Sequence, residues 1–144
     1  MDLSTIKQLD EWMTANCYND SYGIGTRIIH EGYGLDAVDR SFVWYYTERG
    51  KRQLLNRFQT EQDAVRFAFG EITADTSANR HMVGFIQDDL LEQELVAELA
   101  NRQIEFWKDV IPYGGLHDKR SRIFVFGCDI HKVLDLQQKY GTPY

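Results

Sequence analysis

The residues best suited to acid–base chemistry follow one another in a predicted loop. His117 is followed by Asp118, and the bases Lys119 and Arg120 come directly after them. A histidine next to an acid, with two cations able to hold a phosphate, could act as a general acid or base on a phosphodiester. Adjacent loop residues seldom orient each other as a catalytic pair must, so a solvated polar loop explains the same residues. A small phosphodiester hydrolase that uses His117 and its charged neighbours is therefore an alternative hypothesis, and no residue is predicted to be catalytic.

The histidines and cysteines lack the spacing of a metal site. Structural zinc sites use two pairs of Cys or His, each pair a few residues apart, and the sequence does not contain two such pairs. Gly114 and Gly115 lie between two predicted strands and do not open a helix, so they do not predict a phosphate site. We therefore expect no metal and no cofactor. The histidines and cysteines concerned are His30, His81, His117, His131, Cys17 and Cys128.

Acidic residues are concentrated in two parts of the chain. The segment from His81 to Asn101 contains five acids and no Lys or Arg, and a second acidic cluster lies in residues 1–39. Acids spaced four apart repel each other along a helix, so the segment is either a solvated face or a docking surface for a basic partner. The acids predicted to bind a partner are Asp88, Asp89, Glu92, Glu94, Glu98, Asp36 and Asp39.

The composition narrows the class of protein. The 144 residues carry a formal net charge of −6. This charge disfavours general nucleic-acid binding, because such affinity comes from Lys and Arg on phosphates. The start lacks the pattern of a signal peptide, and no apolar run is long enough to span a membrane. Cys17 and Cys128 are far apart and are expected to be reduced and buried. These features predict a cytoplasmic protein that binds neither a membrane nor nucleic acid.

Hydrophobic periodicity predicts the elements that would position these residues. An aromatic-rich strand at 41–47 has two apolar faces, so it is expected at the centre of a sheet, followed by a turn and a second strand. Asp36 and Asp39 fall in a predicted loop. The predicted helices are 3–15, with Ser4 as its N-cap, 61–74, 88–100 and one starting at Asp129, and the predicted strands are 22–30, 41–47, 52–58, 103–110 and 122–128.

This order of elements predicts an α+β fold. Strands that follow one another without alternating helices favour antiparallel pairing, so we expect one mostly antiparallel sheet of about five strands with helices packed on one face, a single pair of layers. The length matches the common size of one domain, and no linker interrupts the chain. Residues 1–144 are therefore predicted to form a single domain. The strand aromatics Trp44, Tyr45 and Trp107 are expected in its core.

Two stretches carry a recognisable pattern. The first runs Phe-Val-Trp-Tyr-Tyr-Thr-Glu-Arg-Gly at 42–50, and Phe58 and Thr-Glu-Gln-Asp-Ala-Val at 60–65 follow it. The second comprises Ile-Glu-Phe-Trp at 104–107, Ile-Pro-Tyr-Gly-Gly at 111–115 and Arg-Ile-Phe-Val-Phe-Gly-Cys-Asp at 122–129. This pattern resembles small bacterial immunity proteins that accompany polymorphic toxins, including those of contact-dependent growth inhibition. The resemblance covers the middle and the C-terminal half of the chain.

The resemblance implies a protein that binds a cognate toxin domain, often a nuclease, in the cytoplasm. Such a protein blocks the active site or the substrate path of the toxin and needs no cofactor. An acidic inhibitor suits a nuclease because the substrate cleft of a nuclease is basic. The leading hypothesis is therefore an immunity protein that is not an enzyme. A protein- or peptide-binding adaptor and the His117 hydrolase are the alternatives.

Overall fold

The structure, a computed structural model, describes residues 3–141 as helices and antiparallel strands. The chain divides into two compact units, Met1–Asn79 and Arg80–Tyr144, and each has its own sheet and helices. The single domain predicted for residues 1–144 stays a prediction.

The first unit contains a three-stranded antiparallel sheet in the order β1-β2-β3 and two α-helices. Val43, Trp44 and Tyr45 of β2 are all buried, although neighbouring strand residues point to opposite faces. A strand covered on both faces belongs at the centre of a sheet, and β2 lies there as predicted. The elements are α1 (Ile6–Ala15), β1 (Gly32–Val38), β2 (Ser41–Glu48), β3 (Lys51–Phe58) and α2 (Glu61–Ala74), followed by a 3₁₀-helix at Thr76–Asn79.

Side-chain caps set the starts of both helices in this unit. The Thr60 hydroxyl accepts a hydrogen bond from the N–H of Asp63 and caps α2 where the sequence predicts. For α1 the predicted cap, Ser4, is wrong. Thr5 is the N-cap, because its hydroxyl accepts from the backbone N–H of Gln8 while the Gln8 side chain accepts from the backbone N–H of Thr5.

Two tight turns join the strands of this sheet. Asp39 and Arg40 connect β1 to β2, and Arg49 and Gly50 connect β2 to β3. All four residues have positive φ. Positive φ at both central residues gives a two-residue turn whose twist matches that of a hairpin. Gly50 indicates the second turn in the sequence, whereas the first turn contains no glycine and has no such signal.

The missing signal explains an error in the sequence prediction for β1. The strand predicted at 22–30 is reduced to an isolated bridge between Gly23 and Gly34, and the predicted loop that carries Asp36 is strand β1. Glycines are typical of loops because they add no side chain to a pleated face. Pairing with the strongly hydrophobic β2 overrides that preference and makes residues 32–38 a strand.

An aromatic cluster joins the sheet of the first unit to α2. Trp44 is stacked with Tyr22 and Tyr33, and Phe67 of α2 meets the Trp44 ring edge-on. Such pairs add to the energy of burial and fix the helix over β2. The other buried side chains of this core are Leu9, Met13, Ile24, Leu35, Ala64, Val65, Ala68, Ile72 and Ala78.

The second unit contains another three-stranded antiparallel sheet, in the order β4-β6-β5. Its buried side chains include Val83, Leu95, Leu99 and Ile123. β6 is the central strand, and four of its residues are buried. The elements are β4 (Arg80–Ile86), α3 (Asp89–Asn101), β5 (Phe106–Ile111), β6 (Arg120–Phe126), a 3₁₀-helix at Gly127–Lys132 and α4 (Leu134–Tyr140).

Two predictions for the second unit are wrong in detail. β4 was not predicted, because its apolar run is short and follows a polar segment that is typical of a loop. The final helix does not start at Asp129, which lies in the 3₁₀-helix, and α4 begins at Leu134. Both differences concern segments whose local pattern is weak and whose structure depends on packing.

The α+β class and the antiparallel pairing are confirmed, but the predicted single sheet of about five strands is wrong. The described residues form six strands in two sheets of three. Trp44 and Tyr45 are buried as expected, whereas Trp107 is 41% exposed and does not belong to a core.

No helix within residues 3–141 is long and apolar enough to cross a membrane. The expectation of two reduced, buried cysteines is wrong. Cys17 and Cys128 are both in the disulfide-bonded state, and Cys17 is half-buried while Cys128 is exposed. Disulfides are rare in reducing compartments, so cysteine usage gives no support to a cytoplasmic location.

Candidate protein-binding surface

The acidic segment predicted to bind a partner begins at the N-terminus of α3. Asp88 is the N-cap, and its carboxylate accepts a hydrogen bond of 2.7 Å from the backbone N–H of Leu90. Asp89 follows in the first turn, where the helix dipole favours a negative charge. Both side chains are exposed, and neither forms an ion pair within residues 3–141. These two charges are therefore open to a partner.

Glu92 faces the sheet of its own unit instead of the solvent. Its carboxylate lies 3.0 Å from Nζ of Lys108 on β5 and accepts a hydrogen bond from Ser121 on β6. The hydrogen bond from Ser121 lowers the pKa of Glu92, partial burial opposes this effect, and Lys108 lowers the pKa further. Glu92 stays ionised, but its charge is paired with that of Lys108 in the same unit.

The remaining acids of α3 are also paired with bases. Glu94 lies 3.8 Å from Nζ of Lys139 on α4, and Glu98 lies 3.0 Å from Nε of Arg102. Arg102 also binds Asp135, with 2.8 Å between Nη2 and Oδ2, and the hydrogen bond from Arg102 lowers the pKa of Asp135 to about 2. Glu92, Glu94 and Glu98 of α3 are thus in ion pairs, whereas Asp88 and Asp89 at the start of the helix are not.

Large apolar side chains are exposed directly beside the two open acids. Leu90 is 73% exposed and Leu91 is 42% exposed. Leu91 and Asp88 also line a cavity of about 190 Å³ whose walls include Phe85 and Tyr140. Exposed apolar groups that are rimmed by polar ones are typical of interaction sites.

A buried arginine holds an aromatic side chain beside this cavity. The Nε of Arg120 donates to Asp118 at 3.0 Å, and its guanidinium carbon lies 5.5 Å from the ring centre of Phe85 and 4.8 Å from that of Tyr113. Tyr113 meets Phe85 edge-on and is still 54% exposed. A rigid, exposed tyrosine contributes contact area at little cost in side-chain entropy. The α3 surface is defined here as Asp88, Asp89, Leu90, Leu91 and Tyr113.

The two other predicted binding acids belong to the first unit. Asp36 lies on β1 and binds Arg52, with 2.8 Å between Oδ2 and Nη1. Asp39 is exposed in the β1–β2 turn, where its positive φ suits an Asp better than most residues. Both have a local structural role, and neither is part of the α3 surface.

The loop of the alternative hypothesis does not form a catalytic pair. Asp118 is bound to Arg120, and its backbone oxygen accepts from the N–H of Gly114 at 3.1 Å. His117 is exposed and makes no hydrogen bond within the described part of the chain. Among residues 3–141, no three His, Cys, Asp or Glu side chains are grouped to hold a metal ion. Arg120 holds the loop through its hydrogen bond to Asp118 and its contacts with the rings of Phe85 and Tyr113.

The apolar part of the α3 surface was missed by the sequence analysis. The spacing of Leu91, Leu95 and Leu99 predicts one buried stripe, but only Leu95 and Leu99 are buried. The available signal was the apolar pair Leu90-Leu91 directly after the acids Asp88 and Asp89.

Comparisons of the chain with protein-family models, with curated proteins and with solved structures gave no match. The resemblance to immunity proteins therefore rests on the two sequence stretches alone. The α3 surface is the structural feature from which a function can be proposed.

Proposed function

We propose that this chain is an immunity protein that binds a cognate toxin domain through the α3 surface. The observation that carries the proposal is the combination of two open acids with exposed leucines at the start of α3. The other acids of the helix are neutralised within the unit, so the negative charge is concentrated at Asp88 and Asp89. A polar rim beside an apolar centre is the usual composition of a protein interface.

The proposed partner is a basic domain, and a nuclease fits this description best. A nuclease cleft carries Lys and Arg that contact phosphates. Asp88 and Asp89 would face such bases, while Leu90 and Tyr113 would supply apolar contact area. Occupying the cleft would exclude the nucleic-acid substrate. The proposal therefore needs no cofactor, no catalysis by this chain and no binding to a membrane, and it includes a cytoplasmic location, where the substrate of the toxin lies.

Neither alternative has equal support. Hydrolysis by His117 would need an oriented acid or base, and Asp118 is bound to Arg120 instead. A protein- or peptide-binding adaptor would use the same α3 surface and differ only in its partner. Rescue from a toxin therefore separates the adaptor hypothesis from the immunity hypothesis.

The direct test is co-expression of this chain with nuclease toxin domains from genes that neighbour its own. The wild-type protein is expected to restore growth and to form a complex with an inactivated toxin in isothermal titration calorimetry. The double variant Asp88→Ser, Asp89→Lys keeps an N-cap hydroxyl but reverses the local charge, so α3 still starts normally. We expect it to weaken the complex at least tenfold, since charge pairs at interfaces contribute about 1.5–7 kcal/mol.

The matched control is Asp63→Lys, which makes the same charge reversal in the first turn of α2 as Asp89→Lys makes in the first turn of α3. It carries the same penalty from the helix dipole and is expected to leave toxin binding unchanged. Equal losses in the two variants would assign the effect to helix stability and not to the α3 surface. Failure of the wild-type protein to rescue growth would overturn the proposed function.

A further inference from the structure

The first unit contains a polar cavity that the proposed function does not use. Its volume is about 230 Å³, and it lies between the loop segment that starts at Gly23 and the sheet of the same unit. The polar side chains that line it from the sheet are Asp36, Tyr45, Thr47 and Arg52. It is thus walled by strands on one side and by a loop on the other.

Tyr45 presents its hydroxyl to this cavity. The residue is only 5% exposed, and its hydroxyl makes no hydrogen bond to any of residues 3–141. None of the fully buried side-chain polar atoms of the described residues lacks a partner, so the Tyr45 oxygen is open to the cavity, where solvent or a ligand can accept its proton. Burial raises the pKa of Tyr45, Arg52 lowers it and Asp36 raises it. The hydroxyl therefore remains protonated at neutral pH and can donate a hydrogen bond.

Two glycines make room for the end of this tyrosine. Gly34 is the β1 partner of Tyr45, and Gly23 bridges Gly34. A Cβ on Gly23 would lie 2.6 Å from the Tyr45 hydroxyl, and a Cβ on Gly34 would clash with the same group. Any larger side chain at either position would displace the hydroxyl from the cavity.

An ion pair orients a second donor at the cavity. The guanidinium carbon of Arg52 lies 4.0 Å from the centre of the Tyr45 ring, and its Nη1 binds Oδ2 of Asp36 at 2.8 Å. Stacking and the ion pair together restrict the arginine to one orientation. The cavity therefore offers hydrogen-bond donors from Tyr45 and Arg52 and an acceptor from Asp36.

The charges around the cavity favour an uncharged ligand. Arg27 also lines the cavity, and it binds Asp10 at 3.1 Å and Asp20 at 3.0 Å. An anion would compete with three acids for these two arginines, while a cation would face both guanidinium groups. A neutral group that both accepts and donates hydrogen bonds meets neither penalty.

We propose that this cavity binds a primary carboxamide group. Its carbonyl oxygen would accept from the Tyr45 hydroxyl, and its NH₂ group would donate to the Asp36 carboxylate, so that donors and acceptors match on both sides. The group belongs either to a free small molecule or to an Asn or Gln side chain of another protein. This inference is independent of the toxin and of the α3 surface.

The test compares acetamide with acetate, which has nearly the same shape but carries a negative charge. Each is titrated into the ¹⁵N-labelled full-length protein, and amide shifts are followed at Gly23, Gly34 and Leu35. Acetamide is expected to give saturable shifts at these amides and acetate to bind at least tenfold more weakly. L-glutamine and the peptide Gly-Gly-Gln-Gly-Gly then separate the sources, because tighter binding of either one identifies a free amino acid or a protein side chain.

Two variants test the assigned contacts. Tyr45→Phe removes only the hydroxyl and should weaken acetamide binding about tenfold, the effect of one lost hydrogen bond. Tyr33→Phe removes a hydroxyl on the neighbouring strand and should bind acetamide normally. Asp36→Asn leaves Arg52 without its acid, so this variant should reverse the preference and bind acetate more tightly than acetamide.

The proposal is overturned if acetate and acetamide shift the same amides equally in the wild-type protein, or if neither shifts them. It is also overturned if folded Tyr45→Phe binds acetamide like the wild type. If Tyr45→Phe fails to fold, the proposal is tested by comparing acetamide with acetate in the wild-type protein and in Asp36→Asn.

Discussion

Asp10 and Arg27 form an ion pair in which both side chains are nearly buried, with 3.1 Å between Oδ1 and Nε. The other carboxylate oxygen of Asp10 accepts from the backbone N–H of Thr26 at 2.9 Å and from its hydroxyl at 2.7 Å. Arg27 also donates to the backbone oxygen of Asn19 at 3.0 Å. This network ties α1 to a long segment that has no regular structure of its own.

Removing the acid of this pair should destabilise the protein strongly. We expect Asp10→Ala to lower the free energy of unfolding by about 3 kcal/mol, because it leaves a buried guanidinium without its buried acid. Asp20→Ala is the matched control, since Asp20 binds the same arginine but its side chain is 83% exposed. It should cost less than about 1 kcal/mol. Urea unfolding followed by circular dichroism measures both, and equal losses would contradict the role of burial.

The same carboxylate predicts a decline of stability in acid. Burial of Asp10 raises its pKa, but hydrogen bonds from Thr26 and the charge of Arg27 outweigh burial, so the folded-state pKa lies below the ordinary value of 3.8. The unfolded state therefore binds the proton more tightly. The contribution of Asp10 is complete above about pH 5 and is lost as the pH falls through 3.8 to the lower folded-state value.

Urea midpoints between pH 7 and pH 2.5 measure this decline. Asp135 also loses its contribution to stability as the pH falls, since Arg102 holds the pKa of Asp135 at about 2. The variant Asp10→Asn should show a shallower decline than the wild type at acid pH. An identical pH profile in the two proteins would rule out Asp10 as a source of the acid sensitivity.

Gly34 should not tolerate a side chain. A Cβ at this position would meet the Tyr45 hydroxyl and the backbone oxygen of Gly23, which are held by the sheet and by a bridge. We expect Gly34→Ala to lower the free energy of unfolding by about 2 kcal/mol, as other overpacked sites do. Thermal unfolding measures the change, and a neutral result would show that Tyr45 can move aside.

Gly70 offers the opposite case within the same unit. It lies inside α2, and a Cβ there would meet nothing within 4 Å. Gly70→Ala should therefore stabilise the protein by about 0.8 kcal/mol, through the better helix propensity of alanine. A rise in the thermal midpoint with unchanged circular dichroism would confirm this expectation, and a fall would reveal a contact at this position.

His117 should be dispensable. It is exposed and has no hydrogen-bond partner in the described residues, so His117→Ala should change the free energy of unfolding by less than about 0.5 kcal/mol. Hydrolysis of bis(p-nitrophenyl) phosphate by the wild-type protein should equal that of a buffer blank. Activity that the wild type shows and His117→Ala lacks would replace the immunity hypothesis with the hydrolase hypothesis.

The sequence by itself determined the elements whose signals are local. Thr60 with Asp63 predicts the start of α2 because a capping hydroxyl and its partner are only three residues apart. The alternating aromatics of β2 predict a central strand, and Gly50 predicts the turn after it. Asp88 was likewise placed at the start of a helix and in the candidate binding surface by the acidic run that it begins.

Only the tertiary structure decided which residues pair and which stay open. β1 becomes a strand because β2 lies beside it, although Gly32 and Gly34 favour a loop. The charge of Glu92 is paired with Lys108, which lies 16 residues away in the chain, while Asp88 and Asp89 form no ion pair within residues 3–141. Periodicity describes one element at a time, whereas charge pairing and burial depend on the neighbours that folding brings together.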